Sequence, residues 1–259
     1  MHPVSLHRRK GKTVNQPETE KVAMLLDIIN SSDNIVFFGG AGVSTESNIP
    51  DFRSANGLYS QRAKSHFSPE EMLSHTFFMN NTEDFFDYYK SNLIYKEARP
   101  NDAHLALAKL EKQGKLKAVI TQNIDGLHQM AGSKEVLELH GSVHRNYCMM
   151  CGKFYTLDYV LESPGVPKCD QCGEIVKPDV VLYEEGLDAD IMEKSVQHIE
   201  NADVLIVAGT SLTVYPAAGL VVYYSGKRLV LINKSPTQYD QKASLVINDS
   251  IGETLKACI

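Results

Sequence analysis

The chain has 259 residues, 43% hydrophobic and 22% charged, with a net charge of -6 from 26 basic and 32 acidic side chains. That is enough for one large domain or two smaller soluble ones with a sizeable core. The acidic balance argues against nucleic acid or an anionic membrane as partner, and no apolar run approaches the ~20 residues that cross a bilayer.

Residues 1–16 carry Arg8, Arg9 and Lys10 with no apolar stretch behind them, so they read as a disordered leader and not a secretory signal. The expected compartment is the cytoplasm. From Pro17 the apolar positions Val22, Leu25, Leu26, Ile28 and Ile29 predict an amphipathic helix. Ile35-Val36-Phe37-Phe38 is a buried strand by length and β-branched content, and it opens into Gly39-Gly40-Ala41-Gly42-Val43-Ser44-Thr45. Glycines there let backbone N–H groups approach a pyrophosphate, although the last glycine of the dinucleotide fingerprint is replaced by Thr45. A purely structural turn explains the same residues. Ile49-Pro50-Asp51-Phe52-Arg53-Ser54 is a mixed, aperiodic loop, a candidate lid beside that turn or a plain surface loop with a local salt bridge.

Residues 68–98 read as mostly helical, with an aromatic richness that suits packing. A further helix opens at Pro100-Asn101-Asp102-Ala103-His104, with His104 structural, and leads to the strand Ala118-Val119-Ile120. That strand runs into Thr121-Gln122-Asn123-Ile124-Asp125, and a second apolar run, Val136 to Leu139, runs into His140-Gly141. Polar groups at the ends of buried strands are costly unless a ligand or a local network satisfies them. Amides and a histidine that merely tie loops together are the alternative.

The cysteines carry more information. Cys148-Met149-Met150-Cys151 and Cys169-Asp170-Gln171-Cys172 are two knuckles 17 residues apart, each followed by glycine. This is the spacing of a structural four-cysteine zinc site, in which four thiolates leave no open position for catalysis. Two matched knuckles in a chain that is no small secreted scaffold argue against disulfides or a redox pair. Residues 143–178 therefore form a metal-stapled module, and Cys258 is left as an ordinary half-buried thiol.

Beyond it, Pro178 to Tyr183 is extended, Ala189 to Glu200 helical, and Asp203 to Ala208 a buried strand ending in Gly209-Thr210-Ser211-Leu212. Pro216 begins a helix, and Arg228 to Asn233 and Leu245 to Ile247 are further strands. Strands alternating with helices predict an α/β fold, a doubly wound parallel Rossmann-type sheet with a small inserted zinc-binding domain.

Taken in order, Gly40 to Ser44, Ile49 to Arg53, Thr121 to Asp125, His140-Gly141, the knuckles, Gly209 to Leu212 and Ile232-Asn233 resemble the sirtuins over about residues 20 to 255. The chain is similar to a bacterial-type sirtuin, an NAD-dependent protein lysine deacylase. The resemblance implies a Rossmann-type NAD-binding domain over 17–142 and 179–259, with a helical insertion at about 60–98, the zinc module at 143–178 and a cleft between the two domains. It implies that Ala41, Gly42, Thr45 and Arg53 hold phosphates and ribose, that Asp51 belongs to the same cofactor loop, and that Phe52 covers the nicotinamide end. Asn123, Ile124 and Asp125 receive the carboxamide and Gln122 the nicotinamide ribose. Thr210, Ser211, Asn233, Ser250 and Ile251 surround the adenosine. Val180, Val181 and Tyr183 belong to a strand that pairs with the peptide substrate, an acyl-lysine protein.

The chemistry implied by the resemblance consumes NAD as co-substrate. The acyl oxygen attacks the ribose carbon as nicotinamide leaves, and a ribose hydroxyl then takes the acyl group with His140 as base and Asn123 beside it. Three departures stand out. Asn48 replaces the usual glycine, Tyr183-Glu184-Glu185 replaces Phe-Gly-Glu, and the Tyr-x-x-Arg pair of desuccinylating members is missing where Asp87-Tyr88-Tyr89-Lys90 stands. Tyr59 and Arg62 have that spacing but lie too early. Neutral acyl groups are therefore expected, acetyl first. Two rivals are a mono-ADP-ribosyltransferase and a non-catalytic NAD- or ADP-ribose-binding module.

Overall fold

The computed structural model describes residues 17–52, 54, 57–59 and 67–259; the Arg53 and Arg62 readings and the leader lie outside them. Helix α1 (Glu18–Asn30) follows Pro17, sets Glu18 and Glu20 in its first turn, and buries Leu25 and Ile29. It leads to strand β1 (Ile35–Gly39), of which every residue is buried. The stretch expected to be mostly helical is three short helices, α2 (Pro69–Met72), α3 (His75–Asn80) and α4 (Thr82–Asn92), and 93–98 is not helical. Ser68 and Ser74 cap the first two with their side-chain oxygens, whereas Asn81, at the break before α4, makes no side-chain cap bond.

Helix α5 (Asp102–Lys112) is capped by Asn101, whose side chain also donates to Val43 O (2.8 Å) and Ser47 Oγ (3.0 Å). One cap residue thus ties a helix start to the glycine-rich turn. Next come β2 (Leu116–Thr121), α6 (Leu127–Ala131), β3 (Val136–Glu138), β4 (Gly141–Cys148), β5 (Phe154–Tyr155), α7 (Leu157–Glu162) and β6 (Val176–Val180). Helix α8 (Ala189–Asn201), β7 (Val204–Ala208), β8 (Arg228–Ile232), β9 (Leu245–Ile247) and α9 (Ile251–Lys256) complete the chain. Pro216 begins no α-helix: it follows a cis bond from Tyr215 and leads into a 3-10 turn, Ala217–Tyr223.

The six strands β3-β2-β1-β7-β8-β9 form one parallel sheet. Its order reverses between β1 and β7, which is where such sheets open a crevice at their carboxyl ends. Along β1, Ile35 and Phe37 join an apolar cluster with α1, α5 and α9, while Val36 and Phe38 join another with α8 and the 217–223 turn. Burial on both faces is why these strands read as unbroken apolar runs. Cys258 lies in the first cluster and is fully buried, not half-buried.

A second sheet, β5-β4-β6, is antiparallel and carries the cysteines. Its apolar residues Val143, Tyr155 and Val176 share a cluster with Phe77, Phe78, Phe85, Phe86 and Tyr89 of α3 and α4. The helices that precede α5 in sequence therefore pack with the cysteine sheet in space.

His104 is buried as expected, and its ring lies 4.6 Å from that of His128, also buried. Burial pushes His128 down to about 3, with the neighbouring His104 adding to it, and His104 down to about 4 against the pull of Asp125 and Glu46. The unfolded chain binds protons at these sites near pH ~6.5, so the pair's stabilisation is complete above that pH and drains away as pH falls toward 4 and 3. Between neutral pH and about pH 4.5 the urea midpoint should fall, by roughly 2 to 3 kcal/mol of stability for each of the two histidines. His128→Phe should flatten that slope; an unchanged slope would remove the pair from the account.

Candidate active site

The crevice is built on glycines that approach each other too closely for side chains. A Cβ at Gly40 would sit 2.8 Å from Gly209 O, and one at Gly42 only 2.7 Å from Gly209 Cα. Gly209 itself has φ 62, and a Cβ there would meet Val43 N at 2.5 Å. From this contact the chain turns through a 3-10 helix, Ala41–Ser47, closed by Asn48 at φ 63 and ψ 24. Asparagine accepts this left-handed geometry, so its replacement of glycine leaves the turn intact. Thr45 donates to Gly42 O (2.9 Å) and holds the turn; it does not line the cleft among the described residues.

Ser44 is the hub of the polar network and was not marked as a site residue from sequence. Its Oγ accepts from Asn123 Nδ2 (3.0 Å) and donates to Asp125 Oδ2 (2.7 Å), while Asp125 Oδ1 accepts from Leu127 N (2.9 Å). The signal available was its place two residues past the last glycine of the turn. Gln122 Nε2 donates to Thr210 Oγ1 (3.0 Å), and Thr210 N donates to Asn233 Oδ1 (3.0 Å), so the ends of β2, β7 and β8 are laced together, the first of these bonds crossing the switch point. Asn233 Nδ2 is buried without a hydrogen-bond partner among the described residues.

His140 lines the cleft half-buried, and its Nδ1 lies 3.0 Å from Gln122 O. A carbonyl oxygen only accepts, so Nδ1 carries the hydrogen and the neutral ring keeps its lone pair on Nε2. Burial lowers the pKa of the ring and the Gln122 carbonyl partly offsets it. The imidazole is therefore neutral at pH 7 with one nitrogen free to accept a proton.

Opposite the crevice, His140 O accepts from Val181 N (3.0 Å), and Tyr183 is clamped by bonds from its N to Leu73 O (3.0 Å) and from His75 N to its O (2.9 Å). Glu184 adopts φ 77 where the sirtuin pattern has glycine, and its carboxylate accepts from Thr76 N (2.8 Å). Glu185 accepts from Leu182 N (2.9 Å) and pairs with Lys177 (3.1 Å). The Tyr183 hydroxyl meets that of Tyr59 at 2.7 Å. Val180, Val181, Tyr183, Ala41, Gly42, Asp51, Phe52, Gln122 to Asp125, Thr210 and Ser211 all line this one cleft. Val214, Tyr215 and Pro216 line it too and were not singled out from sequence. Asn233, Ser250 and Ile251 do not line it: Asn233 stands behind Thr210, Ser250 caps α9, and Ile251 is buried in the core.

In the second sheet the four cysteine sulfurs lie within 4.8 Å of one another, with Cys148 to Cys172 at 3.3 Å and Cys151 to Cys169 at 3.6 Å. Gly152 and Gly173 take φ 69 and 76, the tight turns that bring each knuckle's thiols to one point. Four thiols gathered in this way fit a structural zinc ion, held by Cys148, Cys151, Cys169 and Cys172.

A Sir2 family model matches residues 40–216. The chain belongs to the Sir2 family. Among Sir2 relatives, the NAD-dependent protein deacetylase of Clostridium tetani is 68% identical over 232 residues, covering 89% of this chain and 94% of that protein. That of Clostridium acetobutylicum is 64% identical over 241 residues, covering 93% and 98%. A solved Sir2 structure with a deacetylated peptide and acetyl ADP ribose matches with a TM-score of 0.83 at 40% identity, over 91% of this chain and 96% of that one. Sir2Tm bound to a propionylated peptide matches at 0.79 and 41%, over 91% and 96%.

Proposed function

We propose that this Sir2 chain is an NAD-dependent protein lysine deacetylase, with NAD in the crevice between β1 and β7 and the acetyl-lysine peptide along Val180 to Tyr183. The observation that carries the assignment of roles is the His140 tautomer. A neutral imidazole with a free Nε2 stands where the dinucleotide crevice meets the peptide strand, and binding alone needs no base. NAD, when bound, supplies the sugar carbon that the acyl oxygen attacks and the hydroxyl that takes over the acyl group.

The chain's own residues supply the rest. Gly40, Ala41 and Gly42 admit phosphates against bare backbone. Ser44 holds Asn123 and Asp125 in the orientation that receives a carboxamide, and Ile124 closes the pocket. His140 accepts the hydroxyl proton at Nε2. Phe52, from the 49–59 loop, covers the nicotinamide end and excludes water. By the family pattern Arg53 belongs to the phosphate side; Thr45 on that side, and Asn233, Ser250 and Ile251 on the adenosine side, stand in a layer behind the cleft wall. The cysteines are free of disulfides among the described residues, and no described helix is long and apolar enough to cross a membrane. Together with the acidic net charge, this supports a cytoplasmic enzyme acting on protein substrates and not on nucleic acid.

The test is one incubation with NAD and an acetyl-lysine peptide, with products identified by mass. O-acetyl-ADP-ribose and free lysine establish the deacetylase. Label on protein would indicate a transferase, and no turnover a binding module.

Acyl choice follows from the lining. Among the described lining residues none is lysine or arginine, while Asp51, Asp125, Glu184 and Glu185 are acidic. An anionic acyl group gains no partner there, so acetyl-lysine peptides should turn over at least about tenfold faster than succinyl-lysine peptides at equal concentration. A succinyl preference would overturn this.

A further inference from the structure

Strand β4 contains an irregularity just outside the residues that line the cleft. Its pairing with β6 jumps from Ser142–Asp179 to Asn146–Pro178, so Val143, His144 and Arg145 are looped out of the ladder. Such bulges re-aim side chains beside functional sites. Here two of the three looped-out residues bond the backbone of the cleft wall. Val143 N donates to Ile124 O (3.0 Å), and His144 Nε2 donates to Asp125 O (3.1 Å). The His144 ring fills the space where a Cβ on Gly126 would lie, 2.7 Å from its Cδ2, and Gly126 has φ 73. Arg145 anchors the bulge itself, through Nη1 to the buried Glu138 carboxylate (2.6 Å) and Nε to Asp179 (2.7 Å). Glu138 stands two residues before His140, and Asp179 one before Val180.

We propose that His144 is a positioning residue: from the β4 bulge it holds the Ile124–Asp125 wall of the nicotinamide pocket against the base-bearing segment, with Arg145 fixing the bulge. The inference rests on the deacetylase reading above, because it assumes that NAD enters this cleft. Asp125 is bound on its carboxylate by Ser44 and Leu127, and neither bond touches its backbone carbonyl. The His144 contact and the glycine packed beneath the ring supply the missing restraint. His144 is exposed and belongs to no apolar cluster, so its removal costs the fold little.

The test compares two ligands on the full chain. NAD carries the nicotinamide that enters the pocket; ADP-ribose lacks it and shares every other contact. By calorimetry, His144→Ala should weaken NAD about fivefold while ADP-ribose stays within about twofold, the size expected for one lost hydrogen bond that orders a binding wall. His144→Gln, whose amide can donate to the same carbonyl, should recover most of the loss. The concentration of nicotinamide that halves turnover should rise in His144→Ala by the same factor as the NAD dissociation constant. If His144→Ala binds NAD as the wild type does, or weakens both ligands equally, the positioning role is wrong. A wild-type protein that binds neither ligand would instead overturn the deacetylase reading.

Discussion

Replacing His140 with alanine should lower deacetylation by about 10²- to 10⁴-fold, the range lost when a positioned general base is removed. His140→Tyr should do the same, because a phenol is a far weaker base at neutral pH. Zinc content should stay at the wild-type level in both, since the cysteine cluster belongs to another sheet. The pH profile gives an independent check. Burial holds the imidazole's pKa below its ordinary value, so the neutral, proton-accepting form persists below pH ~6.5. Wild-type kcat/KM should therefore be level through neutrality and fall on the acid side as Nε2 becomes protonated. Near-normal turnover in either variant would remove His140 from the role.

Loss of the metal is the second large effect. Cys148 and Cys169 are buried in the apolar cluster that also contains Phe78, Val143, Val180 and Leu182. Apparent zinc affinities in small four-ligand peptides are about 10–16 kcal/mol, comparable with the whole stability of a domain at about 5–15 kcal/mol. Cys169→Ser, or prolonged chelation, should therefore loosen β4 and β6 together. The peptide strand that continues from β6 loses its footing, and turnover should fall to background. The two clusters on the faces of the parallel sheet are separate, so much of the far-UV circular dichroism should remain. Zinc analysis, circular dichroism and turnover on one preparation check the point. A zinc-free protein with intact activity would show that the module stands without its metal.

The parts of this molecule legible in the sequence are those whose cause is local. Strands β1 and β7 are apolar on both faces because both are covered, and five consecutive buried residues write that directly into the chain. The cysteine knuckles are legible because each pair of ligands needs a fixed short spacing and a glycine after it. The Asn123 and His140 motifs are legible as polar groups at the ends of buried strands, which need a ligand or a local network to satisfy them. Asn48 was readable as harmless because left-handed geometry is an intrinsic allowance of asparagine.

What tertiary structure alone decided involves partners far apart in the chain. Ser44 looks like any serine in a turn until Asn123 and Asp125, some eighty positions away, are brought to its hydroxyl. Thr45, Asn233, Ser250 and Ile251 stand beside the cleft or behind it because the turn, the sheet edge and α9 each spend those side chains on their own bonds and packing. Helices α3 and α4 join the cysteine sheet, not the parallel one, because their aromatic faces fit the cluster around Tyr155 and Val176. The β4 bulge has no sequence signature at all. A register shift is set by which backbone groups meet across two strands, and that is a property of the pair and of neither strand by itself.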